Sequence, residues 1–291
     1  MVPANLQPAL RVTLAAILAN YIHVLSLTSD GEHMHYVYFI GTAGSGKSSL
    51  VQAFSEWLDV NGINSIIVNL DPGADFIPYQ ADVDIRDWVH LNEIMAEYSL
   101  GPNGAQIVAS DLMAVNAKEW VPVVKGMETD YCLIDTPGQM ELFAFRQSSN
   151  ALVEELGRED SMLVFLSDPT LARTPNGFVS DMMLCGVTQF RFSLPILNVL
   201  SKSDLLKEEE LEELSTWSRD AYALYNALTE KDISSQTVIS VEFLKAMENV
   251  GMYKELTPVS ALEGTGMEDI YNTVQQHFEG GEDAGSRPSL E

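Results

Sequence analysis

Gly41-Thr42-Ala43-Gly44-Ser45-Gly46-Lys47-Ser48 sets glycines, one lysine and one hydroxyl at a spacing suited to holding phosphate. Glycines let the backbone curl until its N–H groups converge on an anion, and a helix start adds the positive end of its dipole. Gly44, Ser45 and Gly46 would supply the loop, with Ser48 and Ser49 opening the helix behind it. Lys47 would reach the β- and γ-phosphates of a nucleotide, and the Ser48 hydroxyl would ligate Mg²⁺. Such a loop needs a strand before it and a helix after it. Tyr36–Ile40 is a short apolar run of β-branched and aromatic residues and reads as a buried strand. Ser49–Leu58 carries apolar residues at helical spacing, and Asn61-Gly62 closes it as a glycine cap.

Three later strand ends carry further polar residues. Ile63–Leu70 reads as a strand emptying into Asp71-Pro72-Gly73, which is good turn chemistry. It also sets Asp71 at the carboxyl end of a parallel strand, where open α/β sheets bind ligands. Tyr131–Ile134 reads as a strand running into Asp135-Thr136-Pro137-Gly138. An apolar strand ending in Asp, then Pro-Gly, places Asp135 in a Mg²⁺ shell and the Gly138 N–H against a γ-phosphate. Leu194–Leu200 leads into Ser201-Lys202-Ser203-Asp204. One carboxylate there accepts both the N1–H and N2–H of guanine, whereas adenine leaves it unpaired, so Asp204 would discriminate. The Lys202 stem would cover the base plane. Leu256–Val259 reads as a last short strand before Ser260-Ala261-Leu262, a position suited to backbone contact with the base.

Between these strands the pattern is mostly helical. Residues 78–87 read as an exposed loop, with Asp87 capping a helix whose face holds Leu91, Ile94, Met95 and Tyr98. Gly101-Pro102-Asn103-Gly104 reads as a turn, and helical runs follow over 105–114 and 116–126. Further helices are expected over 142–156, 175–187, 207–225, 229–250 and 267–278, with one more strand over 161–166. The fold class is α/β: a three-layer P-loop NTPase fold, its mostly parallel central sheet flanked by helices. A helical insertion covers about 87–127.

The chain has 291 residues, a hydrophobic fraction of 46% and a formal net charge of −26. That field repels phosphate backbones and argues against direct nucleic-acid binding, while leaving room for a locally positive nucleotide loop. The two cysteines, Cys132 and Cys185, have no metal-ligand spacing, and a reduced cytoplasmic setting is the simplest reading. Leu10–Leu27 is apolar but interrupted by Arg11, Asn20 and His23, marginal for a membrane span. Met34 lies just before the first strand. Residues 1–33 therefore read as an extension outside the working protein, with an amphipathic docking helix or a membrane anchor as alternatives. Residues 34–279 form the nucleotide domain, and the acidic, Gly- and Ser-rich 280–291 should be disordered.

From Met34 to Phe278 the order of elements resembles the GPN-loop GTPases. The residues that carry the likeness are the phosphate loop, Asn69-Leu70-Asp71-Pro72, Asp84-Ile85-Arg86-Asp87, Leu100-Gly101-Pro102-Asn103-Gly104, Asp135-Thr136-Pro137-Gly138-Gln139 with Glu141, and Ser201-Lys202-Ser203-Asp204. Gly101, Pro102 and Asn103 match the family's naming triplet. The departures are Ser201, which lacks a side-chain amide, and Gly73. The resemblance implies a homodimer of the archaeal type in which Asn103 enters the partner's site. It implies that Asp71, Gln139 and Glu141 surround the Mg²⁺ shell and the attacking water. It also implies a protein client such as RNA polymerase, to which eukaryotic relatives are linked.

The expected chemistry is GTP hydrolysis by positioning and charge neutralisation, with Gln139 orienting water and Glu141 assisting. Arg86 and Arg146 are the arginines that could act as fingers, and surface ion pairing is the competing role. Partitioning-type and arsenite-pump-type ATPases carry an extra lysine early in the loop, where this chain has Thr42 and Ala43. Kinases need a basic lid or acceptor site, and this chain is poor in Lys and Arg. A nucleotide-gated assembly scaffold with incidental turnover shares every residue above.

Overall fold

The structure is a computed structural model and describes residues 34–230 and 234–278. The expectations for 1–33 and 280–291 lie outside the described residues.

Seven strands form one sheet: β1 His35–Gly41, β2 Ser65–Asn69, β3 Val83–Asp84, β4 Tyr131–Asp135, β5 Ser161–Ser167, β6 Ile196–Leu200 and β7 Leu256–Pro258. Their order is β3-β2-β4-β1-β5-β6-β7, and every pairing is parallel. Parallel sheets are covered on both faces, which is why the strands read as near-continuous apolar runs. The pleat sorts those runs. Tyr36, Tyr38 and Ile40 of β1 enter one core with Cys132 and Ile134 of β4 and Leu163 and Phe165 of β5. Val37 and Phe39 enter the opposite core with Leu133, Met162 and Val164.

The helices are α1 Lys47–Val60, α2 Leu91–Glu97, α3 Pro102–Val115, α4 Ala117–Lys125, α5 Gln147–Leu156, α6 Pro169–Ala172, α7 Pro175–Phe192, α8 Glu208–Arg219, α9 Ala221–Glu230, α10 Ser235–Asn249 and α11 Met267–Phe278. α1 and α11 cover one face through Leu50, Phe54, Leu58, Ile270 and Val274. Residues of α3, α4 and α5 cover the other through Ala109, Trp120 and Leu152. A third cluster, including Phe178, Leu214, Trp217 and Leu244, binds α7 to α8, α9 and α10. Among the described residues no helix is long and apolar enough to cross a membrane.

Four expectations are corrected. Gly101-Pro102-Asn103-Gly104 is not a turn ahead of a helix: Gly101 is the N-cap, and Pro102, Asn103 and Gly104 form the first turn of α3. Residues 78–87 are not simply an exposed loop: Val83 and Ile85 are buried, and Val83–Asp84 adds an edge strand to β2. The expected Asp87 cap is instead Asp84, whose carboxylate accepts from the Arg86 N–H at the head of a 3-10 turn, and α2 starts later, at Leu91. The acidic helix expected over 207–225 is two helices, broken at Asp220, which has extended backbone.

The crossover order reverses around β1. Chain from β1 runs outward to β2 on one side, and chain from β4 crosses β1 to reach β5 on the other. Ligands bind at the carboxyl ends of strands at such a reversal. Gly41, Asp135 and Ser167 are the last residues of the three strands that meet there.

Candidate functional site

The chain leaves β1 at Gly41 and enters α1 at Lys47. Gly44 (φ 78°) and Gly46 (φ 95°) take left-handed backbone, which only glycine adopts at little cost. Gly46 is the α1 N-cap, and no side chain caps its N–H groups, which stay available to an anion. Lys47 is buried, 5% exposed, and its three ammonium protons meet three carbonyls: Gly41 at 3.0 Å, Thr42 at 3.0 Å and Gly138 at 3.1 Å. Burial lowers the Lys47 pKa, and Asp135 and Asp71 oppose that shift. Carbonyl dipoles rather than a carboxylate hold the cation, so phosphate oxygens can exchange with them.

Asp71 and Asp135 flank this lysine. Asp71 spans two loops: Oδ1 accepts from the Gly73 N–H and Oδ2 from the Gly138 N–H, both at 2.9 Å. The Gly138 backbone is thereby held on both sides of its Cα, through its N–H by Asp71 and through its carbonyl by Lys47. Asp135 is 1% exposed. Its Oδ2 accepts from the Tyr79 hydroxyl at 2.6 Å, and its Oδ1 is buried with no hydrogen-bond partner, Ser48 lying beside the carboxylate. Burial raises the Asp135 pKa, with Ser48, Tyr79 and Lys47 working against it. A buried, unpartnered carboxylate oxygen next to a hydroxyl is a donor set that a hard cation such as Mg²⁺ satisfies.

At the other end of the loop lies a cleft of about 160 Å³ lined by Gly46, Ser49, Ser201, Lys202, Asp204 and Leu262, among others. The Ser260 hydroxyl, fully buried, donates to Asp204 Oδ1 at 2.6 Å and accepts from the Glu263 N–H at 3.1 Å. Ala261 is half-buried and also lines the cleft, whereas Leu262 is 85% exposed at its rim. Lys202 sits in left-handed backbone (φ 52°), its stem against Gly46. Its ammonium donates to the Gly44 carbonyl and to Asp168 Oδ2, the latter at 2.7 Å. Lys202 thus bridges the phosphate loop and the end of β5. Ser201 turns away and donates to the Ser167 carbonyl at 3.0 Å. Asp168 is held low in pKa against the cost of its burial by Lys202 and the Thr170 N–H, and no motif in the sequence marks it.

Gly44, Ser45, Gly46, Lys47, Ser48, Asp71, Asp135 and Gly138 are therefore gathered at the sheet's carboxyl edge, with Ser49, Lys202, Asp204, Ser260, Ala261 and Leu262 at the cleft. Gln139 and Glu141 lie one and three residues beyond Gly138, both exposed. Gly101, Pro102 and Asn103 are exposed and do not line the cleft. Gly101 is the N-cap and Pro102 the first residue of α3, the position where a missing N–H costs nothing. One turn on, Gln106 reaches the Asp71 loop: its side-chain amide occupies the space that a Cβ on Gly73 would need. Arg86 is committed to Asp84 at 2.6 Å and to the Ala74 carbonyl at 2.8 Å, and Arg146 to Asp111.

A glycine loop between central strand and helix, a buried lysine, and two carboxylates at adjacent strand ends define a P-loop nucleotide-binding protein. A family model described as a conserved hypothetical ATP binding protein matches residues 39–280. A GPN-loop GTPase of Pyrococcus abyssi is 33% identical over 244 residues, 83% of this chain and 96% of the relative. GPN-loop GTPase 1 of Dictyostelium discoideum is 29% identical over 82% of this chain, which spans 60% of that relative's length. The crystal structure of the Pyrococcus abyssi GTPase in its apo form superimposes with a TM-score of 0.76, covering 84% of this chain and 99% of that one. The chain belongs to the GPN-loop GTPase family.

Proposed function

We propose that the chain binds GTP with Mg²⁺ and hydrolyses it to GDP and phosphate, working as a cytoplasmic homodimer that acts as a nucleotide-controlled switch or assembly factor. The observation that carries the guanine reading is Asp204. One of its oxygens is pinned by Ser260, and the carboxylate lines a cleft continuous with the phosphate loop. A fixed acceptor at that point suits the paired donors of guanine and leaves adenine unmatched. The relatives' naming as GTPases supports the same choice over the ATP of the family model's description.

In this reading Lys47 exchanges its carbonyl partners for β- and γ-phosphate oxygens, and the α1 N–H groups receive the β-phosphate. Ser48 and Asp135 would hold Mg²⁺, with Asp71 nearby; bound there, the ion neutralises charge on the phosphate oxygens. The Gly138 N–H leaves Asp71 Oδ2 for the γ-phosphate. Gln139, exposed beside it, orients the attacking water, and Glu141 assists through a hydrogen bond. Asn103 would complete the site of the partner copy. With Arg86 and Arg146 tied in ion pairs, basal turnover should be slow, which also favours a scaffold with negligible turnover as second reading. Calorimetry of GTP against ATP, each with Mg²⁺, beside a solution mass, tests the proposal. Equal uptake of both nucleotides, or of neither, would overturn it. Single-turnover rates with and without cell extract separate the enzyme from the scaffold.

A further inference from the structure

Tyr79 belongs to the loop that leaves β2 after Asn69 and returns at β3, and no motif in the sequence marks it. Its ring packs against the core cluster beneath α1, where Val37, Phe39, Leu50 and Phe54 are buried. That seat fixes the hydroxyl in space at the cost of ordering only two side-chain torsions. The hydroxyl donates to Asp135 Oδ2 at 2.6 Å, the length of a charge-assisted O–H···O⁻ bond. The carboxylate it holds is 1% exposed, and its second oxygen has no partner. A buried carboxylate with one oxygen clamped and the other bare is built to present that bare oxygen in one direction.

We propose that Tyr79 is a positioning residue of the nucleotide site. Its phenol clamps Asp135 so that Oδ1 stays presented beside Ser48, and it ties the Asp71 loop to the carboxylate that receives the divalent cation. The proposal rests on the Mg²⁺-dependent reading above. Tyr79 makes no contact with the reacting groups; it acts through Asp135. Asp71 at the start of the loop contacts Gly138, and Tyr79 near its end contacts Asp135, so one loop grips both ends of the segment 135–138. Loosening the Tyr79 grip should weaken cation retention without touching the phosphate loop, which neither contact includes.

The test is release of a fluorescent GDP analogue from the full chain, followed across a Mg²⁺ titration and in EDTA. Wild type, Tyr79→Phe and Tyr79→Leu are compared. Phe keeps the ring and its packing and loses only the hydroxyl. The expected result is a Mg²⁺ midpoint raised about tenfold in both variants, equivalent to about 1.4 kcal/mol, with the release rate in EDTA unchanged. A Tyr79→Phe midpoint equal to that of a Mg²⁺-responsive wild type overturns the proposal and leaves the GTP–Mg²⁺ reading standing. So does faster release in EDTA by the same factor as in Mg²⁺, which marks general loosening of the loop. A wild-type chain that retains the analogue with no response to Mg²⁺ overturns both.

Discussion

Replacing Ser260 with alanine removes one hydroxyl and tests how the base is read. The Ser260 hydroxyl is fully buried, donates to Asp204 Oδ1 at 2.6 Å and accepts from the Glu263 N–H at 3.1 Å. Losing it has two effects. The Glu263 N–H loses its acceptor next to solvent, a cost to folding of about 1 kcal/mol. Asp204 loses a charge-assisted bond, a class that contributes about 1.5–3 kcal/mol. Asp204 is only half-buried, so water replaces part of that bond, and about 1.4 kcal/mol should remain as lost orientation toward guanine. GTP and GDP affinities should each fall about tenfold, because both share the base. ATP affinity should hold steady, narrowing the GTP-to-ATP ratio by the same factor. Competition binding against a fluorescent GDP analogue measures all three. Equal losses for ATP and GTP would show that Ser260 supports the loop and not the base reading. An unchanged GTP affinity would remove the Asp204 clamp from the account of specificity.

Gln139→Ala should cut turnover at saturating GTP while leaving GTP affinity nearly unchanged, measured by single-turnover phosphate release and by calorimetry; intact turnover removes Gln139 from the mechanism. Gly46→Ala forces φ 95° on a residue with a Cβ, costing about 1–2 kcal/mol of strain and weakening GTP and ATP alike; a binding assay with both nucleotides checks it. Asp181, 3% exposed, has its pKa raised to about 7 by burial, against an ordinary 3.8. The folded state then keeps a proton that the unfolded state releases near pH 4, so this group's contribution falls from about pH 4 to about pH 7 and levels off above that. Asp181→Asn should remove that slope and gain up to about 4 kcal/mol at pH 8, an upper bound from three pKa units; urea unfolding at pH 5 and pH 8 measures it, and equal gains at both pH values would refute the shift.

The phosphate loop was legible in the sequence because its chemistry is local. Gly44, Gly46 and Lys47 need only a strand before and a helix after, and both announce themselves by apolar pattern. Asp135 and Asp204 were legible for the same reason, Asp135 closing an apolar run and Asp204 lying four residues past the end of one. What escaped depends on contacts across the chain. Asp168 matters because Lys202 reaches it from the end of the neighbouring strand. Tyr79 matters because a loop without periodicity folds back over Asp135. Two-residue β3 offered too short a run to show alternation, and its polar Asp84 disguised it further. The partner of the Gly138 N–H was not legible either, since an acceptor 67 positions away leaves no trace in spacing.

The loop between β2 and β3 has both feet fastened. Asn69 and Asp84 stand side by side in the sheet register, and the Asn69 amide donates to the Asp84 carboxylate at 3.0 Å. Its crest, by contrast, carries Phe76 at 81% exposed. A parallel crossover of this kind is a ready mount for a spectroscopic reporter: a probe grafted at Phe76 would ride on the crest while the clasped base kept Asp71 and Tyr79 in place, turning nucleotide arrival into a readable signal.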